Sequence, residues 1–101
     1  MKGRFMTNVS EKLYVCDKLS EAALYEQLAE ECAELSHACL KKARKLRGEN
    51  PTPIEMVEID DSVEEEFTDV SLVSTLLDIH PNLNLYWEKY DRWCRRLGRL
   101  S

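Results

Sequence analysis

The chain has 101 residues, 44% of them apolar and 33% charged, with only three Gly and three Pro. That length suits one domain, which buries a smaller share of its surface than a larger one does and would gain from oligomerisation. So few Gly and Pro argue against a loop-rich or all-β protein and for helices with charged outer faces. A net charge of −5 argues against a protein whose main task is gripping nucleic acid, which rests on Lys and Arg neutralising phosphates. No apolar run approaches membrane-spanning length, so a cytoplasmic location is the default expectation.

In chain order, residues 1–9 read as a loose start, and Ser10 is placed to cap a short helix over 11–18. Ser20 stands as N-cap before a long helical pattern in which Leu24, Leu28, Cys32, Leu35, Cys39 and Leu46 recur at steps of three, four or seven. Gly48 ends it, and Pro51 and Pro53 forbid easy continuation. Residues 48–61 form a linker, long for a small helical domain. Ser62 with Glu65 fits a capping box for a helix reaching about Ile79, with Phe67, Val70, Val73, Leu76 and Leu77 towards a core. His80-Pro81 breaks that helix, and Asn82 or Asn84 caps a last one carrying Leu85, Trp87, Tyr90, Trp93 and Leu97. The expectation is one all-α domain over 1–101: an N-terminal segment over 1–19, a bundle of three to four helices, and assembly as a homodimer or homotetramer.

Cys16, Cys32, Cys39 and Cys94 form no CxxC pair. Cys32 and Cys39 share a helix face about two turns, roughly 10 Å, apart, too far for a disulfide. They are expected to be reduced, partly buried thiols acting as small hydrophobes.

Charge is uneven. Residues 55–69 are densely acidic, and the C-terminal stretch carries Lys89, Arg92, Arg95, Arg96 and Arg99. In the first long helix Glu26, Glu30, Glu31 and Glu34 are linked by spacings of three and four, and none has a Lys or Arg four residues later. Like-charge pairs four apart cost a helix about 0.2–0.5 kcal/mol each. The second long helix repeats the feature, with Glu66 and Asp69 three apart beside Phe67 and Val70. Carboxylates crowded against a core need protons, cations or a metal. Hard oxygen donors without a Cys or His cluster suit magnesium or manganese better than zinc. Either pair alone is common in acidic helical proteins and reads as a solvated face; two pairs on successive helices, each beside the apolar stripe, favour a metal site.

The stretch LAEECAEL (28–35) followed by EEEFTDV (64–70) resembles the all-α nucleoside triphosphate pyrophosphohydrolases: the MazG-like proteins, dimeric dUTPases and phosphoribosyl-ATP pyrophosphohydrolases. Their signature, EExxE on one helix and ExxD on the next, reads here Glu30-Glu31-x-x-Glu34 and Glu66-x-x-Asp69. The tail YWEKYDRWCRRL (86–97) is similar to the family's basic last helix. The resemblance covers roughly residues 20–97, although its specific part is short. It implies that Glu31, Glu34, Glu66 and Asp69 are the metal ligands and that Lys89 and Arg92 bind substrate phosphates. The expected reaction is hydrolysis of a nucleoside triphosphate to a monophosphate and pyrophosphate. Water is the nucleophile, with Glu30 or Glu31 as general base. House-cleaning of noncanonical nucleotides is a role at the level of the family.

Other features have plainer explanations. Glu34 and His37 make one Glu-x-x-His, the pattern that di-iron bundles use twice; no second copy exists, so His37 reads as a neighbour of the acids or a surface residue. Lys41, Lys42, Arg44, Lys45 and Arg47 complement a helix C-terminus. Trp87 and Trp93 suit core packing or a subunit interface better than stacking on a base. The competing class is a non-enzymatic helical interaction module with an acidic binding face.

Overall fold

The computed structural model describes residues 4–49 and 54–98, which form four helices and no strand: α1 (Arg4–Lys18), α2 (Glu21–Arg47), α3 (Met56–Leu76) and α4 (Leu83–Arg96). Their ends follow local chemistry. The Ser20 hydroxyl accepts a hydrogen bond from the Ala23 amide at 3.0 Å, and Gly48 closes α2 in the left-handed conformation, φ 72°, where a side chain would be strained. Asn82, the first of the two candidate caps, accepts from the Leu85 amide at 3.0 Å.

Two starts differ from expectation. α1 is already helical at Arg4, so Ser10 lies inside it; Arg4–Lys18 contains neither Gly nor Pro, and nothing forces a break for Ser10 to cap. α3 begins at Met56, with Glu55 as an N-cap that makes no side-chain bond. Ser62 and Glu65 are therefore interior and the capping box does not form. Beyond Pro53 no residue opposes a helix, and Met56 and Ile59 extend the apolar stripe of α3 towards its N-terminus. The expected linker over 48–61 shrinks accordingly; its residues 50–53 lie outside the described ones.

α3 also ends earlier than expected, at Leu76. The Asp78 amide donates to Thr75 O and the Ile79 amide to Ser74 O, with Asp78 at φ 58°. This is a Schellman closure, using one of the few residue types other than Gly that tolerate the left-handed region. The Asp78 carboxylate accepts from Lys12 Nζ at 2.7 Å, and that bond, with the lysine's charge, holds its pKa below the ordinary value. It fastens α1 to the end of α3, where Cys16 Sγ also approaches Leu76 O at 3.8 Å.

α2 and α3 pack as an antiparallel pair. Lys42 near the end of α2 meets Met56 Sδ at 3.2 Å and pairs with Asp60, both at the start of α3. The core lies between these helices: Leu24 and Ala38 from α2, Ile59 and Val73 from α3. The buried and half-buried positions of α2 include 24, 28, 31, 35, 38 and 42, and those of α3 and its C-cap include 56, 59, 63, 66, 70, 73 and 77. Both alternate steps of three and four, the spacing of a seam between two helices. The expected α2 stripe differs at three points: Glu31, Ala38 and Lys42 occupy the seam, while Cys32, Cys39 and Leu46 are exposed. Phe67, expected in the core, is 60% exposed, because it stands beside the seam. All four cysteines are free, Cys94 alone being half-buried.

α1 touches α3 lightly, and α4 packs closely against none of the other helices. No residue of α4 is buried. Among the described residues no helix is long and apolar enough to cross a membrane.

Candidate metal centre

The seam dictates the site. Glu31 and Glu66 occupy positions where a two-helix interface ordinarily places an apolar side chain, and both are half-buried. Glu34 and Asp69 stand one turn further along the same faces. One carboxylate oxygen from each of Glu31, Glu34, Glu66 and Asp69 lies within 4.8 Å of one from every other. The two acidic pairs thus converge across α2 and α3 in the register set by the Lys42–Met56 contact.

The electrostatics of this cluster are unfavourable as it stands. Glu31 Oε1 accepts from Gln27 Nε2 at 2.8 Å, but Glu31 Oε2 and Glu66 Oε2 are shielded from solvent and meet no donor. No ion pair among the described residues involves any of the four acids. Burial is the main cause that raises the Glu66 pKa, followed by the carboxyl–carboxyl contact with Glu34 and then the charges of Glu34, Asp69 and Glu65. A proton on Glu66 is one remedy, since it would sit between two carboxylates; a cation is the other.

The donor set fits a hard divalent cation. It offers four carboxylates, two with an oxygen that lacks any partner. Opposite ligands of an octahedral magnesium ion stand about 4.2 Å apart, comparable with the 4.8 Å span of the cluster.

The other candidate residues lie apart. Glu30 is exposed and outside the cluster, as is His37, and the absence of a His ligand removes the motivation for di-iron chemistry. Lys89 and Arg92 are exposed on α4, and the structure does not bring them to the acids within one chain. Lys42, read simply as complementing a helix C-terminus, instead bridges to α3 through Asp60. What the sequence reading missed is that Glu31 and Glu66 are seam residues. The alternation of three and four through Leu24, Leu28, Leu35 and Ala38 contains that information, because it leaves position 31 as the unfilled step. No protein-family model, curated protein or solved structure matches the chain.

Proposed function

We propose that the chain is a magnesium-dependent nucleoside triphosphate pyrophosphohydrolase of the MazG-like kind. The observation that carries this reading is the convergence of the four motif carboxylates, two of them with a buried oxygen that has no partner. Glu31, Glu34, Glu66 and Asp69 would hold divalent magnesium or manganese, whose positive charge would stabilise the negative charge that develops on the phosphate groups.

The chain's own groups do the rest. The Gln27 amide holds one oxygen of Glu31 and so orients its carboxylate, leaving the other oxygen without a donor. That oxygen is left for the metal, so exposed Glu30, outside the cluster, suits acceptance of the proton from the attacking water; Glu31 is the alternative base only if the metal leaves one of its oxygens free. Water adds at the α-phosphorus, the bond to the bridging oxygen breaks, and pyrophosphate leaves. Lys89 and Arg92 are the proposed phosphate-binding cations. Because α4 packs closely on no other helix of its own chain, they would reach such a site in an assembled dimer or tetramer.

The deciding experiment is a panel of canonical and modified nucleoside triphosphates incubated with magnesium, with products separated chromatographically. Monophosphate and pyrophosphate should appear in equal amounts and only with the metal present. Diphosphate plus orthophosphate as first products would refute the mechanism. No turnover of any member would leave the acidic face as a protein-binding surface.

A further inference from the structure

The chain is too open for its mass. It exposes 8664 Å², whereas a compact monomer of 11.8 kDa exposes about 5,900 Å². Its radius of gyration is 17.8 Å, against about 13 Å for a compact domain of this length. The excess, about 2,700 Å² per chain and so about 5,400 Å² for a pair, reaches the upper end of what permanent homodimers bury in total.

Two apolar surfaces are left uncovered. One is the ridge made by α4 itself, whose side chains leave a cleft of about 360 Å³ among Tyr86, Lys89, Tyr90 and Trp93. Along α4 and its C-cap residue, Leu83, Tyr86, Tyr90, Trp93 and Leu97 follow one another at steps of three, four, three and four, and they are 69, 49, 54, 66 and 82% exposed. That spacing is the seam of a helix meant to lie along another helix. The aromatic rings hold one another in place, with Tyr86 and Tyr90 centroids 6.2 Å apart and Trp87 and Tyr90 centroids 5.6 Å apart. The other surface is a groove of about 630 Å³ between α1 and α3, lined by Val9, Val15, Thr68, Leu72, Thr75 and Leu76. Leu72 is 59% exposed there.

We infer that the α4 ridge of one copy seats in the α1–α3 groove of a second copy, and reciprocally, to form a two-fold dimer. Charge agrees with this pairing. Lys89 and Arg96 flank the ridge, whereas the α3 row that lines the groove continues towards its N-terminus as exposed Asp61, Glu64 and Glu65. Two α4 ridges packed antiparallel against each other would instead bring the flanking cations together. A two-fold arrangement uses both surfaces of both copies and closes, which prevents open-ended growth. The inference stands independently of the proposed enzymatic activity.

Sedimentation velocity across the micromolar range tests it. The wild type should be a dimer. Trp93→Glu and Leu72→Glu should each be monomeric, with the helical circular dichroism of α2 and α3 retained, since neither side chain is buried in the chain. Mixing the two variants should recover a dimer, because the intact ridge of Leu72→Glu fits the intact groove of Trp93→Glu. Trp87 and Trp93 are the only tryptophans and both lie on α4, so wild-type emission should shift to the blue as concentration rises. A monomeric wild type, a dimer that survives either substitution, or a mixture that stays monomeric would each overturn the inference.

Discussion

Glu66→Gln should raise the melting temperature of the metal-free protein and abolish the rise that millimolar magnesium gives the wild type. The first effect follows from the cluster itself. Glu66 lies in the helix seam with an oxygen that meets no donor, among Glu31, Glu34 and Asp69, and an amide of the same size removes one charge and supplies donors. The second follows from mass action, since a ligand that binds only the folded state stabilises it. The same change should lower kcat more than tenfold if the carboxylate holds the metal in the transition state.

The pH dependence has a definite sign. The Glu66 pKa is raised from its ordinary value of 4.5, so the folded chain holds that proton more tightly than the unfolded one. Metal-free wild type therefore gains stability as pH falls through the raised value towards the ordinary one, and gains no more below it; Glu66→Gln lacks that gain. Asp78, with a lowered pKa, acts oppositely: its contribution is lost as pH falls from its ordinary value through the lowered one. Thermal melts with magnesium or a chelator, over a pH series, read all of this. Equal melting of wild type and variant under every condition would refute the role assigned to the acids.

The second large effect belongs to the core. Ile59→Ala should cost about 2–5 kcal/mol, the usual range for truncating a buried isoleucine, and lower the melting temperature by roughly 10 °C or more in a chain this small. Ile59 is 2% exposed, and only Leu24, Ala38 and Val73 join it among the buried apolar residues described. With so few, no neighbouring layer of core can absorb the cavity. Val57→Ala, on the same helix but 65% exposed, should shift the transition little. Comparable losses at both positions would mean that the α2–α3 seam is not where stability resides.

Much of this was legible in the residues, for identifiable reasons. Ser20, Gly48 and Asn82 have few structural uses other than ending helices, and each does so. The acidic pairs were legible because spacing of three on a helix puts two carboxylates on one face. Whether the faces of α2 and α3 meet depends on their register, which no local pattern sets. The seam of α2 was misread at Cys32 and Cys39 because apolar character was followed in preference to regular steps. Glu31 does not look like an interior residue, and Ala38 is too small to stand out. The start of α3 was misread because a good capping box at Ser62 and Glu65 competed with a stretch that has no objection to being helical. The exposure of α4 could not be read, since an amphipathic stripe does not say whether its cover is the same chain or another.

That exposure has a consequence for motion. A helix of 14 residues with little tertiary packing is marginal in water, because nucleating it fixes several dihedrals for a single hydrogen bond. Burial elsewhere gives α4 little help, so in an isolated chain its order rests mainly on the Asn82 cap and its neighbouring rings. Its backbone amides should exchange with solvent deuterium far faster than those around Leu24 and Val73. They should slow as protein concentration rises, while the seam amides stay unchanged. Covering the ridge would then be a folding event as much as a docking one, with the ordering entropy of α4 set against the apolar surface it hides.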